Sequence, residues 1–79
     1  MKYLKLTITG HDIFLRYDSE KKISVSVSIN AEATIIVKAK MTVEQFEETK
    51  LEADSFSPIT ESQFETAYYN ALNDLLKFT

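Results

Sequence analysis

The residues able to do acid–base or nucleophilic chemistry are few and scattered. His11 is the sole histidine, Gly10 the sole glycine, and there is no cysteine. His11-Asp12 spells a dipeptide found in metal-dependent phosphohydrolases, but those centres need several further histidines, and an active site gathers several convergent groups. No serine sits in a glycine-rich elbow of the kind that exposes a nucleophile. One glycine cannot build a phosphate-cradling loop, which needs several. Asp18 and Glu20 share a connection that lacks the spacing and central glycine of a calcium loop. Glu47, Glu48 and Glu52 fall near one another at helical spacing, yet carboxylates on an exposed helix are ordinarily solvated. The inventory points away from an enzyme: no catalytic residue, metal or cofactor is expected, and the small chain has little room for a pocket of a few hundred Å³.

What remains is recognition by surface. The net charge of −3 is unevenly spread. Residues 1–40 carry seven bases and four acids, net +3, and residues 41–79 carry two bases and eight acids, net −6. Such polarity steers charged partners, although helix surfaces also tolerate glutamate better than strands do. Two candidate surfaces follow. Glu44, Glu47, Glu48, Glu52 and Glu65, with Tyr69 at the border of an apolar stripe, form an acidic helical surface suited to a basic protein partner. Lys5, Phe14, Arg16 and Lys38 form a basic, aromatic set on strands, suited to single-stranded nucleic acid if their sheet face is open.

The elements that would position these residues are legible from their periods. Lys2 to Thr9 alternates, with Leu4, Leu6 and Ile8 on one side and Tyr3, Lys5 and Thr7 on the other, which is a half-buried strand. Gly10-His11-Asp12 reads as a tight turn. Ile13 to Tyr17 closes a hairpin with the first strand. After the polar run Asp18 to Lys22, Ile23, Val25, Val27 and Ile29 alternate with Ser24, Ser26 and Ser28. This third strand has no charge, proline or bulge to guard an edge, so it belongs in the interior unless a partner covers it. Asn30-Ala31-Glu32 is the next turn, and Ala33 to Lys40 a fourth strand. Short connections make a four-stranded antiparallel meander.

The period then changes. Thr42 and Gln45 form a capping box, with Met41 and Phe46 at the positions of a hydrophobic staple. The short helix that follows ends near Ala53 and has a thin apolar face of Val43, Phe46 and Leu51. Ser55-Phe56-Ser57-Pro58 is a break, because proline lacks an amide hydrogen and biases the residue before it away from helix. Thr60 and Gln63 repeat the capping box, with Ile59 and Phe64 as the staple. The shared Thr-x-x-Gln-Phe-Glu is read as convergent capping rather than duplication. Phe64, Ala67, Tyr68, Ala71, Leu72, Leu75 and Leu76 then make a continuous helical stripe. Phe56 and Phe78 are less firmly placed aromatics.

The expectation is one α+β domain over residues 1–79. A four-stranded, mostly antiparallel meander is followed by a short helix and a longer amphipathic helix packed on one sheet face. Leu4, Leu6, Ile8, Ile13, Leu15, Val25, Val27, Ile35 and Val37 are expected to share that covered face, with the short helix on the same side. The opposite face would be open and would carry Lys5, Phe14, Arg16 and Lys38. A core of this size supplies about 3–5 kcal/mol. The longest apolar run, Ile35-Ile36-Val37, is too short for a membrane span, and no apolar leader is apparent, so a soluble, cytoplasmic protein with no membrane partner is expected. The expected function is non-catalytic binding to another protein. Small acidic accessory proteins of phages or mobile elements are analogous in style, and an anti-defence inhibitor is one concrete form. Nucleic-acid binding and self-assembly into a homo-oligomer are the alternatives.

Overall fold

A computed structural model describes residues 1–77. Four strands, β1 (Lys2–Ile8), β2 (His11–Asp18), β3 (Ile23–Asn30) and β4 (Thr34–Lys40), are followed by α1 (Val43–Ala53), the short strand β5 (Ser57–Pro58) and α2 (Glu61–Leu76). The sheet is antiparallel in the order β4-β3-β2-β1-β5, so the meander is as expected and β3 is interior.

Each turn is built by a residue suited to it. Gly10, at φ 72°, closes the first hairpin, and His11 and Asp12 belong to β2 rather than to the turn. The Asp18 carboxylate accepts from the amides of Glu20 (2.9 Å) and Lys21 (3.2 Å). The Asn30 side-chain carbonyl accepts from Glu32 and Ala33, both at 2.8 Å. These are side-chain mimics of a backbone turn. Both capping boxes form: Thr42 and Thr60 accept from the amides of Gln45 and Gln63, whose side chains accept in return from the cap amides.

Two, four and two residues lie between the closing pairs Ile8–His11, Asp18–Ile23 and Asn30–Ala33. An even loop sets odd-numbered residues opposite even-numbered ones, and opposed residues share a face. Tyr3–Arg16–Val25–Lys38 and Lys5–Phe14–Val27–Ile36 are therefore rows on one face. Leu4–Leu15–Ser26–Val37 and Leu6–Ile13–Ser28–Ile35 are rows on the other. The apolar side of β3 is thus out of phase with that of β1, β2 and β4, which corrects the single apolar face expected for the four strands.

Each face consequently needs a helix. α2 covers the Val25–Val27 face, where Phe64, Ala71 and both valines form a buried cluster joined by Tyr3, Phe14, Ile29, Ile36, Ile59 and Tyr68. α1 lies against the opposite face and not beside α2. There Ala53 packs with Leu4 and Leu15, flanked by Tyr17 and Phe56, and the Phe46 ring meets Tyr17 edge-on at 5.5 Å. Only Phe46 and Ala53 of α1 are buried, whereas Val43 and Leu51 are exposed. The segment read as a break contains β5: Ser57, biased to extended backbone by Pro58, pairs with Lys5, and the Ile59 amide donates to Tyr3.

Lys22 sits at φ 54°, a left-handed conformation that costs a side-chain-bearing residue about 1–2 kcal/mol. Lys22→Gly is expected to raise stability by about 0.5–1 kcal/mol, net of the looser unfolded chain; urea denaturation showing a loss would contradict this. The Asp18 carboxyl is held below the ordinary range, first by the Lys21 amide and also by that of Glu20. A depressed carboxyl stabilises fully above its unfolded value near 4, and that contribution disappears as pH falls through the folded value. The stability gap between wild type and Asp18→Asn should therefore shrink below about pH 4, and a gap constant with pH would be inconsistent with it.

Candidate functional site

The four residues Lys5, Phe14, Arg16 and Lys38 do share one sheet face, but it is the face that α2 covers. The Arg16 guanidinium lies 5.2 Å from the centre of the Phe64 ring, Lys38 Nζ 5.2 Å from Tyr68, and Lys5 Nζ 5.1 Å from Phe14. These cations sit against rings, a modest attraction at partly exposed sites. The open platform expected here is thus the floor of the α2 layer. The reason is the loop parity: β3 supplies its valines to this face, and the stripe of α2 follows them. Lys5 and Phe14 line a cleft beside α2 with Ile59, Ser62, Gln63 and Thr66.

The acidic set divides in two. Glu65 and Tyr69 are on α2, where Tyr69 is exposed and meets Tyr68 edge-on at 5.3 Å. Burial first, then the charge of Glu61, hold the Tyr3 hydroxyl neutral to above the ordinary tyrosine range, with Arg16 opposing and Glu65 adding. Glu61 and Glu65 of α2 thus lie within electrostatic reach of Tyr3 on the sheet. Glu44, Glu47, Glu48 and Glu52 are on α1, on the other side of the sheet, and all are exposed. Glu47 is 3.7 Å from Lys50, an exposed pair of little energetic weight.

The surface that the sequence did not single out lies on this α1 side. α1 covers only part of its face. Beyond it, Ile8, Ile35 and Val37 remain 51, 52 and 51% exposed, with Leu6 and Ile13 half-buried between them. Between α1 and the sheet runs a groove of about 480 Å³, floored by Leu6, Ile13, Leu15 and Phe56 and rimmed by Thr49 and Glu52. Ser24, Ser26 and Ser28 project into the same face, and the His11 ring is hydrogen-bonded to the Ser28 hydroxyl. The strand bases Lys5, Arg16, Lys38 and Lys40 all point to the opposite face, which leaves Lys2, at the α1 end, as the strand-borne base here. Ile8 on β1 is separated from Ile35 and Val37 on β4 by β2 and the serine row of β3, so the continuous apolar ground is the groove floor of Leu6, Ile13, Leu15 and Phe56. Partly exposed apolar residues lining such a groove mark an interaction surface. They were missed because strict alternation assigned them to the core.

Among the described residues no three histidine, aspartate or glutamate side chains gather as metal ligands would, and no helix is long and apolar enough to cross a membrane. Phe78 lies outside the described residues. Compared with protein families, curated proteins and solved structures, the chain matches none of them.

The two faces can be told apart by near-isosteric substitutions. Val27→Thr buries an unpartnered hydroxyl and should cost about 1–3 kcal/mol, whereas Val37→Thr should stay within about 0.5 kcal/mol. Equal losses by urea denaturation would refute this allocation of faces.

Proposed function

We propose that this chain is a non-catalytic protein-binding module whose docking surface is the uncovered part of the α1 face together with the adjoining acidic side of α1. The observation that carries the reading is the apolar groove floored by Leu6, Ile13, Leu15 and Phe56 under Glu52, with half-exposed Ile35 and Val37 beyond the β3 serines. An apolar floor with a carboxylate rim and few nearby bases fits a partner that presents apolar side chains flanked by lysine or arginine. Buried apolar contacts would supply affinity, while Glu48 and Glu52 would steer encounter and fix orientation. A nucleic-acid enzyme, with its basic surface, is one class of target, the form that an inhibitor carried by a phage or mobile element would take. In this reading Glu65 and Tyr69, across the sheet, are not part of the contact. Nucleic-acid binding through Lys5, Phe14, Arg16 and Lys38 is the weaker reading, since α2 occupies that face.

The test is a tagged pull-down from native lysate, with and without nuclease, comparing wild type with Val37→Asp and Glu52→Lys. A stoichiometric protein that survives nuclease, is lost with Val37→Asp and is weakened by Glu52→Lys and by salt is the expected outcome. Capture unaffected by both substitutions, or abolished by nuclease, would reject this surface.

A further inference from the structure

The two edges of the sheet are finished differently. At one edge β5 adds Ser57 and Pro58 against Leu4 and Lys5, a short, proline-bearing strand of the kind that blunts an edge. At the other, β4 runs for seven residues in unbroken register with β3 and contains no proline or bulge. Its charges, Lys38 and Lys40, are both at the C-terminal end, and Lys38 sits over the Tyr68 ring. Thr34 to Val37 carries none of the usual guards against edge pairing.

Hydrogen-bond phase shows which groups of β4 are available. The Asn30 amide donates to the Ala33 carbonyl, and the Met41 amide to that of Lys22. The backbone groups of odd-numbered residues in β4 therefore face β3. Those of Thr34, Ile36, Lys38 and Lys40 face outward, because successive residues alternate sides.

We infer that β4 is a self-complementary edge at which two copies of this chain pair, antiparallel and two-fold symmetric about Ile36. In that register Ile36 opposes Ile36 of the second copy and Thr34 opposes Lys38, each pair exchanging outward N–H and C=O groups. Ile35 opposes Val37 on the α1 face. Beyond the paired strands, Lys40 comes beside the β3–β4 turn of the second copy, which carries Glu32, so the charged residue at each end meets its opposite rather than its like. Like charges directly opposed are destabilising, and opposite charges favourable. Pairing about Lys38 would instead set two lysines against each other. The occupant is thus a second copy: the same short segment supplies outward donors and acceptors, matched aliphatic neighbours and complementary ends, as an isologous interface requires. Pairing leaves the α1 face open and joins the Ile35 and Val37 patches of the two copies into one strip. It does not depend on the partner reading above, because its key charges and backbone groups lie at the edge and not in the groove.

Sedimentation equilibrium of the full chain from about 1 μM to 1 mM should show the mass moving from one chain towards two. Lys40→Glu or Glu32→Lys should each weaken association about tenfold or more, and the double swap should restore it. Lys38→Pro removes an outward-facing amide without touching the β3–β4 ladder and should also abolish pairing. A single-chain mass throughout, a dimer indifferent to Lys38→Pro in a folded variant, or a double swap no better than either single change would overturn the inference. Should Lys38→Pro fail to fold by circular dichroism, the charge-swap series decides alone.

Discussion

The parity of three short hairpins governs this molecule. Because every loop holds an even number of residues, β1 and β3 present their odd positions where β2 and β4 present their even ones. The apolar alternation of β3 is in phase with the odd positions, whereas that of β1, β2 and β4 places its aliphatic residues on the reverse side. Neither face is therefore wholly apolar or wholly polar. One gains the β3 valines among lysines and aromatics, and the other gains aliphatic strands divided by a row of serines. A single helix cannot satisfy both, so the chain sends one helix to each side.

The two helices are unequal. α2 centres on Phe64, which is fully buried between the Tyr3 ring, the Arg16 guanidinium and the Tyr68 ring. α1 contributes only Phe46 and Ala53 to burial, and four of its eleven residues are exposed glutamates. A fully buried phenylalanine carries much of what a core this small can supply. α1 is then the element with least to hold it down, and few buried apolar contacts are the physical content of local mobility. The groove beneath it lies between a firm sheet and the less firmly held helix. A partner's apolar side chain could enter there without disturbing the Phe64 layer.

Strands, both capping boxes and the stripe of α2 as far as Leu75 were legible because each is a local pattern with a local cause, whereas the first turn was read two residues too long and Leu76 is exposed. Thr42 with Gln45 and Thr60 with Gln63 needed no tertiary information. The allocation of faces is a relation between strands, and it turns on strand ends being placed to the residue. Read from the sequence, the connections hold three, five and three residues, odd lengths that set Val25 opposite Leu15 and Val37; the observed two, four and two residues set Arg16 and Lys38 with Val25, and Lys5 and Phe14 with Val27, beneath the amphipathic helix. β5 escaped notice because a serine–proline pair has no strand period, and its pairing rests on backbone groups of Leu4 and Lys5 that are distant in sequence. The α1 carboxylates were recognisable as exposed, but the aliphatic patch beside them was not, since an exposed valine and a core valine look alike in a chain.

The late position of β5 bears on how the molecule is made. All pairings within the meander join neighbours in sequence and can form early, because closing short loops is fast and costs little entropy. The β1 edge is capped only after residues 41–56, including all of α1, have folded back across the sheet. Until then a meander with both borders bare can recruit strands on either side, which is the geometry of open-ended growth. Once Ser57 and Pro58 dock, one growth direction is blunted. In this protein two residues, Ser57 and Pro58, leave the sheet one bare edge in place of two.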